Sequence, residues 1–255
     1  MDLQTSGRGP RTDTNYTSKE NKMQYEGVTK GIFLARPNRF TARVLIRGRE
    51  TVCHVRNTGR CRELLLPGAS VLVQFHPDAK AAGRKTEYSL IAVWKNGVLI
   101  NMDSQAPNQA AWEWLRTSPQ LADLRREVTF GNSRFDLAFT RGGNPGFMEV
   151  KGVTLEENGT ARFPDAPTLR GVRHIRELTR MAGEGMDTAV LFVIQMKGVS
   201  SFEPNMATQP EFGLALRDAA DAGVQVLARD CLVSLDEAAG TLSLAIDAPV
   251  PVKLP

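Results

Sequence analysis

Cysteine is scarce in this 255-residue chain, and its three copies, Cys53, Cys61 and Cys231, are odd in number and lack CxxC spacing. A disulfide framework and a zinc site are both disfavoured, and a reducing cytoplasm is the expected location. No apolar run approaches the roughly 18 residues that a membrane span requires, so no membrane association is expected. The opening "MDLQTSGRGPRTDTNYTSKENK" has no apolar segment and is not a secretory signal. Residues 1–23 read as a disordered tail, with Met23 an alternative start. Aromatics make up only 7% of the chain, which limits base stacking as a mode of recognition. Acids are sparse in the front half: residues 22–104 carry 14 Lys and Arg against 6 Asp and Glu, whereas residues 105–255 carry 15 against 19. A basic front joined to a mildly acidic back suggests a polyanion-binding module beside a second unit; the plain alternative is an unevenly charged soluble surface.

Five alternating runs, "GVTKGIFLARP", "RFTARVLIRG", "ETVCHVRNTG", "ASVLVQFHP" and "EYSLIAVWKNGVLI", are separated by Gly, Pro and Asn. They predict a small five-stranded antiparallel barrel over residues 24–103. "GRCRELLLPGAS" between the third and fourth runs predicts a helical turn or capping loop, as in an OB-fold. From residue 104 to 255 the pattern becomes helix, three strands, helix, strand, helix, strand. That order predicts an α/β domain with a mixed sheet, so the fold class is α+β in two domains. Leu169, Val172, Ile175 and Leu178 are expected on one face of the second helix, and "TAVLFVIQM" as a strand buried on both faces.

The chemistry-bearing stretch is "RFDLAFTRGGNPGFMEVKGVTL". Glu149 and Lys151 share one face of a strand, and the "TRGGNPG" turn brings the strand of Asp136 alongside. The three side chains are expected to converge at the edge of the sheet. Adjacent carboxylates repel unless a cation lies between them, and Mg²⁺ (or Mn²⁺) fits two carboxylates, a main-chain carbonyl such as that of Val150, and water. Lys151 would orient or deprotonate the attacking water, or meet a phosphate. Glu127 is a candidate further ligand; its alternative is a pair with Arg125 or Arg126. The alternative for Glu149 and Lys151 is an exposed cross-strand ion pair. Asp165 stands just before the second helix and is expected to cap it rather than join the acidic site. In the barrel, Arg36, Arg39, Arg43, Arg56, Arg60 and Arg62 are candidate phosphate contacts, and Phe33, Phe40 and His54 the available stacking rings.

The Asp-x12-Glu-x-Lys pattern resembles the PD-(D/E)xK nuclease superfamily in its acids and its order of elements, although Phe135 stands where that motif has Pro. "NTGR", "LLLPGA", "FMEVKGVTL", "FPDAPTLRGVRHIREL" and "AVLFVIQM", in this order, resemble the bacterial and archaeal sugar fermentation stimulation protein A family. The resemblance runs from about Val28 onward. It implies an N-terminal OB-fold, a C-terminal restriction-endonuclease-like domain, and DNA binding linked to sugar-utilisation genes. It also marks Arg170 and His174, four residues apart on one helical face, as candidate phosphate contacts beside Glu149 and Lys151; Arg173, Arg176 and Arg180 read as a solvated basic face. The expected partner is a nucleic acid, DNA before RNA. The leading expectation is a DNA-binding protein with a divalent-metal phosphodiesterase site. A non-catalytic DNA-binding regulator and an RNA-directed nuclease are the alternatives.

Overall fold

Strand β1 (Met23–Tyr25) precedes six strands of the front unit: β2 (Val28–Asn38), β3 (Thr41–Ile46), β4 (Arg49–Val55), β5 (Ser70–Phe75), β6 (Tyr88–Lys95) and β7 (Val98–Asn101). The computed structural model describes residues 22–255 apart from Thr58 and Asn132, so the expected tail lies outside the described residues except for Lys22 and Met23. Sheet order is β4-β3-β2-β5-β6-β7, and a parallel pairing of Cys53–Val55 with Tyr88–Leu90 closes the first five strands into a barrel. The alternation seen in sequence is what fills it: Ala42, Val44 and Ile46 turn inward from β3 to meet Phe33, Val55, Val71 and Leu90. The fifth expected run is a hairpin, β6 and β7, reversed at Asn96-Gly97 with both φ angles positive, the requirement of a two-residue type I′ turn. Between β4 and β5 the Cys61 carbonyl accepts from Leu64 and Leu65 N–H, forming the single helical turn expected there.

The back unit continues with α1 (Ala106–Leu115), β8 (Leu121–Phe130), β9 (Ser133–Arg141), β10 (Asn144–Val153), β11 (Leu155–Glu157), β12 (Thr160–Phe163), α2 (Leu169–Gly183), β13 (Asp187–Ile194), β14 (Ser201–Pro204), α3 (Pro210–Asp221), β15 (Gln225–Asp236) and β16 (Thr241–Pro249). Seven strands form a mixed sheet in the order β1-β16-β15-β13-β10-β9-β8, with β10, β13 and β15 parallel. β13 is buried along nearly its whole length, as its apolar run predicts. α1 packs against Met148, Val150 and Leu191 on one face, while α2 and α3 cover Phe147, Val190 and Phe192 on the other. The apolar cluster under α2 and α3 is continuous with the barrel core.

The structure differs from the expected pattern in several places. Met23–Tyr25 pairs with Leu242–Leu244 of β16, so this segment belongs to the back sheet rather than to the barrel. β11, β12 and β14 form a separate three-stranded sheet absent from the sequence-based element order. Leu169 is 84% exposed, because α2 buries Val172, Ile175 and Leu178 but begins only at Leu169 itself. Asp165 does not cap α2; Thr168 does, its hydroxyl accepting from Gly171 N–H at 3.0 Å.

A buried polar network fastens the two units together. Asp103, whose side chain is fully buried, accepts from Tyr25 Oη at 3.0 Å and Gln105 N–H at 3.0 Å, and pairs with Arg56 Nε at 3.1 Å. Asn101 donates to Tyr25 Oη, and Gln195 at the end of β13 donates to the Asn101 side chain and the Asp103 carbonyl. Burial, and then the Asp103 carboxylate, push the Tyr25 phenol well above its usual range and keep it a donor.

Candidate functional site

The β9–β10 hairpin turns at Gly142-Gly143, both with positive φ, and its register runs from Arg141↔Asn144 to Leu137↔Met148. Beyond that point the ladder ends and a side chain takes over: Asp136 Oδ2 accepts the Val150 N–H at 2.8 Å. Asp136 Oδ1 accepts from Asn108 Nδ2 at 2.7 Å, so α1 holds the other side of the carboxylate. The site therefore lies not at the sheet's edge, as expected, but one strand in from it, where β9 and β10 part. A carboxylate is suited to that place because it can replace the missing carbonyl acceptor.

Glu149 points to the α2 face and is 3% exposed. Its Oε1 receives both the Lys151 ammonium and His174 Nδ1, the latter at 2.5 Å. His174 Nε2 then accepts from Arg170 Nε at 3.4 Å, which fixes the Nδ1–H tautomer. Glu149 Oε2 is buried and has no hydrogen-bond partner among the described residues. An unpartnered buried carboxylate oxygen is costly, and a water or an ion is what would satisfy it. Burial, then the Glu149 charge, raise the Asp136 carboxyl above its ordinary value, opposed by the Val150 N–H, Lys151 and Asn108. Burial acts to raise Glu149 too, but the His174 hydrogen bond and the Lys151 charge outweigh it and hold that carboxyl low.

The candidate phosphate groups separate once their partners are known. His174 is 2% exposed and its Nδ1 is engaged with Glu149 Oε1, so the contact it makes is one that positions Glu149. Arg170 remains on the exposed side of that chain of contacts. Arg36, expected on phosphate, is a structural pin: its two Nη groups donate to the carbonyls of Arg39, Asn57, Gly59 and Arg60, which leaves it little to offer a ligand. Arg43 pairs with Glu50 at 3.1 Å, and Arg56 is committed to Asp103. Arg39, Arg60 and Arg62 are exposed and have no carboxylate partner among the described residues. Of the rings, Phe33 belongs to the core, His54 is half-buried, and Phe40 is 46% exposed with the Arg39 guanidinium 4.7 Å from its centroid.

Glu127 lines an open cleft together with Asp136, Arg56, Asn108 and Arg126. It pairs with Arg134 at 2.6 Å, not with Arg125 or Arg126. Among the described residues no three His, Cys, Asp or Glu side chains gather closely enough to form a metal-ligand set, so Glu127 is not brought into one with Asp136 and Glu149. Asp136 and Glu149 still suit a hard cation: both offer oxygen only, one oxygen is unsatisfied, and Mg²⁺ commonly takes one or two carboxylates and completes its shell with water. Sequence reasoning missed Asn108, which carries no signal beyond its place in the first turn of α1, and the Asn101–Asp103–Gln195 network, whose members are isolated polar residues.

The pattern of the "SfsA N-terminal OB domain" matches residues 34–102, and that of the "Sugar fermentation stimulation protein RE domain" matches residues 105–237. A sugar fermentation stimulation protein homolog from Desulfitobacterium hafniense (strain Y51) is 51% identical over 216 residues, covering 84% of this chain and 93% of the relative. The homolog from Clostridium botulinum (strain Loch Maree / Type A3) is 43% identical over 235 residues, covering 90% and 98%. Pyrococcus furiosus SfsA, solved in complex with Ca²⁺, superposes with a TM-score of 0.78 at 27% identity, covering 91% of this chain and 98% of that one. The motifs from "NTGR" to "AVLFVIQM", the closed barrel and the mixed sheet thus agree with these likenesses, and the chain belongs to the sugar fermentation stimulation protein family.

Proposed function

We propose that this protein binds nucleic acid, DNA before RNA, and hydrolyses phosphodiester bonds at a divalent-cation site made by Asp136 and Glu149. The observation that carries the reading is the unsatisfied, buried Oε2 of Glu149 beside a half-buried second carboxylate and a lysine. That the Pyrococcus furiosus relative was solved with Ca²⁺ supports a hard-cation site in this family. A bound Mg²⁺ or Mn²⁺ would supply charge neutralisation at the phosphate and a more acidic water.

The chain's own residues do the rest. The Val150 N–H and Asn108 fix Asp136 in one rotamer, and His174 fixes Glu149. Lys151 neutralises Glu149 in the cation-free protein. With a cation held by these residues, the Lys151 ammonium would be free to face the phosphate, or, once it had given up its own proton, its neutral amine would take one from the attacking water. Arg170 braces His174 through its Nε, and its exposed side chain would fork onto phosphate oxygens. Among the described residues no helix is long and apolar enough to cross a membrane. The three cysteines are free and buried, which supports a cytoplasmic location.

The test is cleavage of plasmid, linear single-stranded DNA and RNA with Mg²⁺, with Mn²⁺ and with chelator. The proposal expects metal-dependent cutting that Asp136→Asn and Lys151→Ala abolish. Salt-sensitive binding with no cutting of any substrate would refute it and make the protein a non-catalytic DNA-binding regulator.

A further inference from the structure

Three cavities lie in series across the junction of the two units. The first is lined by Arg36, Arg39, Arg60, Arg62 and Ala166. The second, a cavity of about 200 Å³, lies between the β4–β5 loop and the end of β10 and is lined by Ser104, Gly152, Thr154 and Asp165. The third is the cleft containing Asp136 and Glu127. Gly59 borders both the first and the second, and Ser104 borders both the second and the third, so the three adjoin in sequence from the barrel arginines to Asp136.

The chemistry changes along that path in a way that matches one kind of occupant. At the barrel end, Arg39, Arg60 and Arg62 are exposed without acidic partners among the described residues, and Phe40 stands open beside Arg39. The exposed guanidinium groups suit a phosphate backbone, and the face of Phe40 that Arg39 leaves uncovered suits a stacked base. The middle cavity mixes hydroxyls and amides with the Asp165 carboxylate and with Arg162, whose charge is already paired with Glu157 and Glu203, so its polar groups suit the edge of a base better than a phosphate. Its volume is more than about ten times the space that admits one water molecule. Walls come from both units, and Gln195, 1% exposed, lies at its floor. A duplex keeps its bases stacked and would have to flip one out at a cost of a few kcal/mol to reach such a place; a single strand offers its bases freely.

We infer that the protein takes a single-stranded polynucleotide along this line of cavities, its backbone on Arg39, Arg60 and Arg62, one base in the middle cavity, and the following phosphate in the cleft of Asp136. The substrate class rests on the phosphodiester reading above; the path adds strandedness and direction.

The test uses the full chain with chelator present, so that binding is read without turnover. A short fluorescein-labelled single strand of mixed sequence is compared with a hairpin duplex of the same sequence. The single strand binds more tightly. Arg60→Glu/Arg62→Glu weakens it and reduces the slope of log K against log salt by about 1.4, roughly 0.7 for each phosphate no longer neutralised, with the melting temperature unchanged. A strand carrying 4-thiothymidine cross-links to the peptide containing Thr154. Equal or tighter duplex binding, or a slope unaltered by the two reversals, overturns the path. Cation titration of the same protein separates the two readings. Strand binding along the path without any cation uptake sinks the metal site and leaves the path. Cation uptake with strand binding indifferent to Arg60 and Arg62 does the reverse.

Discussion

Sequence pattern makes Arg56 a candidate phosphate contact, whereas the structure makes it part of a junction between the two units, a difference that stability can measure. The Asp103 side chain has no exposed surface and is held by Tyr25 Oη, Gln105 N–H and Arg56 Nε at 3.0 to 3.1 Å. In Arg56→Ala the carboxylate keeps two of three donors and loses one charge-assisted bond, which costs about 1.5–3 kcal/mol. Asp103→Ala removes the acceptor for all three. Breaking a buried pair typically costs about 3–5 kcal/mol, and the 27% exposure of the Arg56 side chain places the effect toward the lower end. In a chain of this size each kcal/mol lowers the melting temperature by roughly 2–4 °C. Differential scanning calorimetry should therefore show a fall of about 3–12 °C for Arg56→Ala and about 6–20 °C for Asp103→Ala. In the double variant the two losses should fall short of their sum by about 0.5–3 kcal/mol. A melting temperature for Arg56→Ala within about 1 °C of wild type, together with weaker polynucleotide binding, would refute the junction role and restore Arg56 as a phosphate contact.

Two further predictions concern packing and pH. A Cβ at Gly146 would overlap the ring of Phe139, its cross-strand partner, so Gly146→Ala should destabilise the protein by about 1–3 kcal/mol in urea unfolding, and an unchanged midpoint would show that the ring yields. Lys95 of the barrel pairs with Glu156 of the small sheet at 3.1 Å, and the Gly159 N–H, then Lys95, hold the Glu156 carboxyl below its ordinary value against the effect of burial. A depressed carboxyl contributes stability above its unfolded value and loses it as pH falls through the folded one. Glu156→Gln should then cost up to about 1 kcal/mol at neutral pH, a gap that closes as pH drops below about 4.3; a gap that is constant with pH would contradict the assignment.

The barrel could be read from the sequence because each of its strands is short, alternates, and ends at a turn residue whose conformation is locally determined, as at Asn96-Gly97. The acids and lysine could be read because β10 interrupts an apolar run with charge at period two. What stayed hidden depends on distant partners. Met23–Tyr25 finds β16 more than two hundred residues away, and β11, with three residues, shows no periodicity of its own. Charge counting could not show that Arg36 turns its guanidinium onto four carbonyls, or that His174 lies under Glu149 rather than facing solvent. Side-chain direction at such positions is set by tertiary packing, not by composition.

The central claim is that Asp136 and Glu149 hold a divalent cation, and titration calorimetry with Ca²⁺, which needs no substrate, tests it most directly. The account predicts that the wild-type protein takes up the cation, that Asp136→Asn and Glu149→Gln lose it, and that Lys151→Ala binds at least as tightly because Glu149 no longer has a competing ammonium. Absence of uptake by the wild type, or undiminished uptake by Glu149→Gln, would contradict it.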